Sequence, residues 1–373
     1  MKQALLSLKD GRTYLEEMPL PYCKPGNLLI KTSLSLISKG TESTLASFGK
    51  DNYLNKIKKQ PEKVSEVLDK AKTDGIEITL KAIRDKIEKP AEIGYCNVGT
   101  IIEVGEGVKS FKVGDRVISN GPHAEFVCIP ENLCIQIPEN LDNETASFGI
   151  LGSIGLQGIR LANPTFGETF LVIGLGLIGL LTAQILIAQG CNVLGVDPDK
   201  EKHKNAKILG IKVCESTGDL NILSWIYSKT NSFGADGVLI TASTASDQPL
   251  ELAAKASRKL GRIILIGVSG LNLKRDLFYK KELSFQVSCS YGPGRYDDNY
   301  ELKGNDYPIG YVRWTEKRNI AAVLEAMSKN LLSTKELISH RYPFEEIDKA
   351  YDLMLSKEKT SGIILKYKDE EEL

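Results

Sequence analysis

The run Leu171-Val172-Ile173-Gly174-Leu175-Gly176-Leu177-Ile178-Gly179-Leu180 restricts the possible folds of this chain more than any other stretch. A short apolar run that stops at G-x-G-x-x-G and continues as an apolar, helix-forming segment reads as strand, turn and helix. Gly174 permits a tight turn and Gly176 lets a backbone approach a pyrophosphate. Gly179 lets the helix lie close to its strand, and Leu177 and Ile178 open the helix. Anions are favoured there because the first N–H groups of a helix lack partners and the helix dipole is positive. The motif alone is weak. Here a second strand, Asn192-Val193-Leu194-Gly195-Val196, ends in Asp197, the acidic residue expected about 20 residues further on. The full context points to a dinucleotide.

Composition narrows the class. The 373 residues suggest two domains. Lys+Arg and Asp+Glu both total 48, so no charge excess points to nucleic acid or an anionic membrane as partner. The N-terminal residues have too short an apolar core for a signal peptide, and the apolar stretch 170–188 is broken by glycines, Thr182 and Gln184. Seven cysteines without a C-x-x-C pair fit reduced thiols and a cytoplasmic location.

The first 47 residues read as strands and turns, with Ser38 to Ser43 as a polar turn. Residues 50–90 carry apolar spacing of 3 and 4 and predict two amphipathic helices, an insertion that either covers a groove or docks a partner. From Ile93 to Pro130, glycines and prolines interrupt short β-like runs, as in a compact barrel. From about 146 the pattern alternates. It predicts strands at 169–174, 192–196, 211–214, 236–240, 261–267 and 283–288, with helices between them such as 247–258. That alternation implies an α/β fold with a doubly wound parallel sheet. The strand ends carry Thr241, Ala242, Ser243, Gly267, Val268 and Ser288, which with Asp197 and Lys202 are the expected cofactor-binding residues. Beyond Ser288 comes an aromatic and basic tract, then helices near 320–332 and 347–355 that are expected to fold back on the N-terminal part.

These features in this order resemble the medium-chain dehydrogenase/reductase superfamily. The carrying residues are 99–117 (GTIIEVGEGVKSFKVGDRV), Ala124-Glu125-Phe126-Val127, Gly174 to Gly179 with Asp197, and Gly261 to Gly267. The resemblance implies a β-rich GroES-like catalytic domain (1–145 and 290–373, with the helical insertion at 50–90) around a Rossmann domain (146–289). More narrowly, GYCNVG at 94–99, SNGPHAE at 119–125 and SCSYGPGRY at 288–296 are similar to a zinc-free branch found with surface-polysaccharide genes. Members of that branch are often fused to sugar oxidoreductases of the Gfo/Idh/MocA type, and bacteriochlorophyllide dehydrogenases are more weakly similar. The resemblance places Lys39, Tyr95 and Leu151 where zinc-dependent members hold their metal, so no metal is expected.

The resemblance implies hydride transfer with NAD, since Asp197 would accept both ribose hydroxyls and repel the 2′-phosphate of NADP. Lys202 matches a lysine near the adenosine ribose. The expected substrate is a small secondary alcohol or ketone, such as a sugar or nucleotide-sugar. Without zinc another group must move the proton. Lys39 beside Tyr95 would lower the phenol's pKa and make an acid/base pair; alternatively, Lys39 pairs with Glu42 and Tyr95 only packs. Thr41 matches a hydroxyl of the proton relay and Glu42 an acid beside the cleft. His123 is either an acid/base at the cleft or a strand-end histidine. Tyr291, Arg295, Tyr296, Arg313 and Trp314 suit a sugar-bearing or anionic substrate, or else bridge the domains. The expected assembly is a homodimer, with a partner sugar oxidoreductase as a further possibility. Two rivals stand beside the dehydrogenase: an enoyl or quinone reductase, and a non-catalytic NAD-binding subunit.

Overall fold

The computed structural model describes residues 1–40, 42, 43, 46, 89–216 and 218–368. The two helices expected within 50–90, and Thr41, lie outside the described residues.

In the N-terminal part, β1 (Lys2–Leu6) pairs with β2 (Thr13–Glu17) and with the short β4 (Ala91–Glu92). The long strand β3 (Asn27–Ile37) buries most of its length, and two neighbours share it: β5 (Asn97–Val104) and β7 (Phe126–Pro130). β6 (Arg116–Ser119) and β8 (Cys134–Gln136) continue that sheet. Ser38–Ser43 does not form the expected polar turn: Lys39, Gly40, Glu42 and Ser43 are helical. The reason is local. The Glu42 N–H donates to the Ser38 carbonyl at 3.2 Å, and the Glu42 carboxylate accepts from the Ser38 N–H at 2.9 Å, satisfying an orphan donor of the first turn.

Helix α1 (Gly149–Ala162) leads into the second sheet. Its strands are β9 (Thr169–Ile173), β10 (Asn192–Val196), β11 (Lys212–Val213), β12 (Ala235–Ile240), β13 (Ser257–Leu265) and β14 (Ser284–Val287). All pair in parallel, in the order β11-β10-β9-β12-β13-β14. That is the doubly wound order, which puts the crossover point beside β9. Between the strands run α2 (Leu177–Ala188), α3 (Lys200–Ile208), α4 (Asp219–Lys229) and α5 (Gln248–Ala256). All six expected strands are present. The helix expected at 247–258 stops at Ala256, and β13 starts at Ser257, four residues earlier than the pattern suggests.

The C-terminal tail returns. After α6 (Glu316–Ser328) come β15 (Ile338–Pro343), α7 (Ile347–Leu355) and β16 (Gly362–Lys366). β16 pairs antiparallel with β3, setting Leu365 opposite Ser35, and β15 adds to its far side. One apolar cluster runs from Leu36, Val98 and Ile118 of the first sheet through α1 and α6 to Phe170 and Val172 of the second and Leu180 of α2. The two sheets therefore share a core, and their relative placement is set by packing. No helix among the described residues is long and apolar enough to cross a membrane.

Leu36 lies at this junction and is fully buried. Leu36→Ala is expected to destabilise the whole molecule by about 2–5 kcal/mol. Chemical denaturation should show one transition at a lower midpoint, with no separate loss of either sheet.

Candidate functional site

The C-terminal ends of the parallel strands line one edge of the second sheet. At β9 the chain turns through Gly174, whose φ of +100° suits glycine. A Cβ on Gly179 would sit 1.9 Å from the Gly174 carbonyl, so helix and turn approach too closely for any other residue. By contrast, a Cβ on Gly176 would meet nothing within 4 Å. Gly176 starts α2, and no side chain caps the first turn, so its N–H groups face that opening.

Asp197 at the end of β10 is the polar centre of this edge. Its carboxylate accepts from the Leu175 N–H at 2.8 Å, the Asp199 N–H at 2.8 Å and Lys202 Nζ at 3.0 Å. Its carbonyl is bonded to His203 Nε2 at 2.8 Å. A carboxylate offers about four acceptor positions, so room remains for a ligand hydroxyl. At β12, Thr241 Oγ1 donates to the Gly174 carbonyl at 2.6 Å and fastens the glycine turn. Ser243 and Val268 form an isolated parallel bridge beyond β12 and β13, next to Ala242 and Gly267. Ser288 closes the row; its hydroxyl is buried with no hydrogen-bond partner among the described residues. The glycine cradle, the uncapped helix start and the held carboxylate fit a dinucleotide.

A second cluster lies under the first sheet. His123 is fully buried, not at an open cleft: Nδ1 is bonded to Ser35 Oγ at 2.7 Å and Nε2 to Glu42 Oε2 at 3.2 Å. Tyr351 of α7 donates to the same Glu42 oxygen, and Ser35 Oγ also meets Tyr367 Oη at 3.0 Å. Burial first, then the Glu42 carboxylate, push the Tyr351 phenol well above its usual range, with Tyr367 and Tyr95 adding to the effect. Burial pushes the Cys96 thiol up strongly, again aided by Glu42. Glu42 thus pairs with His123 and Tyr351; among the described residues it forms no ion pair with Lys39. Lys39 and Tyr95 are half-buried, and Tyr95 packs on the main core. The sequence pattern does not single out Tyr351 and Tyr367. Tyr351 has the helical spacing of Ile347, Ala350 and Met354, which reads as core.

The tract after Ser288 forms a third cluster. Tyr291 is buried, and Tyr296 is largely exposed. Arg295 Nη1 pairs with Glu301 at 2.8 Å, so its charge is already met inside the chain. Glu316, at the start of α6, has both carboxylate oxygens buried with no hydrogen-bond partner among the described residues. Burial, then the Glu301 carboxylate, push it up to about 8, with Arg295 acting the other way. In sequence it belongs to the polar run Thr315-Glu316-Lys317-Arg318-Asn319, which reads as a solvated helix start.

A profile described as "Alcohol dehydrogenase GroES-like domain" matches residues 71–156, and one described as "Zinc-binding dehydrogenase" matches 178–302. Over both segments the chain is similar to medium-chain dehydrogenases. A sorbitol dehydrogenase of Halalkalibacterium halodurans is 24% identical, covering 73% of this chain and 82% of the relative. A D-guloside 3-dehydrogenase of Escherichia coli is 27% identical, over 70% of this chain and 72% of that one. The solved alcohol dehydrogenase from Thermus sp. ATN1 superposes with a TM-score of 0.74 at 20% identity, covering 99% of this chain and 100% of that one, and establishes the shared fold. At Lys39, Tyr95 and Leu151, the positions expected from the sequence for metal ligands, leucine has no lone pair to offer and a protonated lysine is a poor ligand. Among the described residues no group of three or more His, Cys, Asp or Glu side chains could hold a metal ion.

The raised Glu316 gives a stability signature. Between the ordinary carboxylate range and about pH 8, the folded chain holds a proton that the unfolded chain has lost. Stability from this group therefore falls as pH rises through that window, by about 1.4 kcal/mol per unit at most, and levels off above it. In melts of the wild type and Glu316→Gln, the variant's relative stability should climb from pH 5 to 8. A constant difference would show that Glu316 ionises normally.

Proposed function

We propose that this chain is a metal-independent oxidoreductase that moves a hydride between NAD(H) and a secondary alcohol or ketone. The observation that carries the reading is Asp197, fixed at the end of β10 beside the glycine turn. A carboxylate there accepts ribose hydroxyls and repels a 2′-phosphate, which favours NAD over NADP. The bound nicotinamide would supply the hydride acceptor or donor. Gly174, Gly176 and Gly179 hold the backbone close to the pyrophosphate, and Asp197 with Lys202 orients the adenosine ribose. Thr241, Ala242, Ser243, Gly267, Val268 and Ser288 line the rest of the edge.

With no metal in the scheme, oxyanion and proton fall to side chains. Tyr95 is assigned as the proton-transferring hydroxyl and Lys39 as the cation that eases its ionisation, with Thr41 as a hydroxyl of the proton relay. Glu42 and His123 are positioning residues. Bound to Ser35, Ser38 and Tyr351, they fix the helical segment that carries Lys39. The substrate is proposed to be a sugar or nucleotide-sugar used in glycan synthesis, held by the tract at Tyr291, Arg295, Tyr296, Arg313 and Trp314. The named activities of the sorbitol and D-guloside dehydrogenases support a polyol or sugar. The catalytic unit is assigned to 1–145 with 290–373, and the cofactor unit to 146–289. Among the described residues β14 is hydrogen-bonded only to β13, and it suits pairing with a second copy in a homodimer.

Tyr95→Phe tests the proton route. Turnover with a polyol or sugar panel should fall by about 100-fold or more, while NADH affinity, read by fluorescence titration, stays as in the wild type. Full turnover in this variant would remove Tyr95 from the mechanism.

A further inference from the structure

Arg160 lies in the last turn of α1, and Arg313 and Trp314 immediately precede α6. The Arg160 guanidinium carbon is 3.4 Å from the Trp314 ring centroid, and that of Arg313 is 4.0 Å away. At such distances a ring face has room for one guanidinium, so the indole is held between two cations. Arg160 is fixed further: its Nε donates to Asn319 Oδ1 at 2.7 Å. The Asn319 amide in turn donates to the Tyr291 carbonyl at 2.9 Å and to Gln157 Oε1 at 3.2 Å. The arrangement is therefore tied to Tyr291, three residues beyond the end of the cofactor edge at Ser288.

The two charges are not answered from within. Among the described residues, neither Arg160 nor Arg313 has a carboxylate at ion-pair distance, whereas Arg295 has Glu301 at 2.8 Å and Arg318 has Asp306 at 3.0 Å. Burial first, then the Arg313 charge, push the half-buried Arg160 down to about 10, so holding the two cations together is unfavourable. The carbonyl end of α1 attracts Arg160 but does nothing for Arg313. Contact with an indole face offsets only part of the cost. Asn319 uses only the Nε–H of Arg160, so among the described residues the terminal N–H groups of both guanidinium groups have no carboxylate to meet. Two guanidinium edges with a rigid spacer suit a tetrahedral oxyanion, which takes bidentate bonds.

We propose that Arg160, Trp314 and Arg313 form an anion site that holds a phosphoryl group of the substrate. This rests on the sugar dehydrogenase reading above and narrows it: the substrate is a phosphate-bearing sugar, and Arg313 with Arg160, not Arg295, carries the charge recognition. The anion belongs to the substrate side, since the cofactor's pyrophosphate is assigned to Gly174–Gly179. Arg160 enters the site as a specificity residue.

The test uses the full chain saturated with NADH, so that the cofactor's own phosphate cradle is filled, and titrates inorganic pyrophosphate by calorimetry. Wild type should bind one pyrophosphate per chain, more weakly as sodium chloride is raised. Arg313→Ala and Arg160→Gln should each weaken binding by about tenfold or more. Arg160→Lys, which keeps the charge but loses the planar fork, should fall between. NADH affinity should be the same in all four proteins. Absence of pyrophosphate binding in the wild type, or equal binding in the variants, overturns the site. Failure of the wild type to bind NADH is a different result and strikes the cofactor assignment instead.

Discussion

The bond from the Leu175 N–H to the Asp197 carboxylate, at 2.8 Å, is the constraint on which the site depends. It ties the glycine turn after β9 to the end of β10, so two separate strands deliver one rigid edge. The same carboxylate accepts from the Asp199 N–H and Lys202, and His203 holds its carbonyl. The Asp197 side chain is only 4% exposed and is surrounded by donors before any ligand arrives, with its orientation already set. A cofactor ribose would meet a fixed acceptor, which lowers the ordering cost of binding.

What faces that edge is decided by a distant pairing. β16, near the C-terminus, joins β3, near the N-terminus, and α1 and α6 pack between the two sheets. The polar cluster of Glu42, His123, Ser35, Tyr351 and Tyr367 draws from both ends of the chain and lies beneath the segment bearing Lys39. Every polar atom in it that carries chemistry is bonded, as an interior requires. It is a fixed support, and the reacting groups are sought above it, at Lys39 and Tyr95.

Much of this was legible in the residues. The parallel sheet follows from strand-helix alternation, and the glycine turn with Asp197 follows from spacing, because both are local signals. The return of the tail onto the first sheet was expected only in outline, since no local pattern encodes a pairing between Leu365 and Ser35. The choice between a cleft and a strand-end role for His123 stayed open for the same reason. A histidine at the start of a strand looks like a cleft residue until the carboxylate from Glu42, 81 positions away, is seen beside it. Glu316 was invisible because charge in a helix's first turn is normally solvated. Its burial comes from the 291–301 segment folding over it. Arg295 and Arg313 looked equivalent in sequence, and only the structure separates the paired arginine from the unpaired one.

A metal-free NAD(H) site read by Asp197 is tested most directly by fluorescence titration of the chelator-treated protein with NADH and with NADPH. The stripped protein is expected to bind NADH, and to bind NADPH more weakly by about tenfold or more. Equal or tighter binding of NADPH, or NADH binding that returns only when zinc is added, would contradict it.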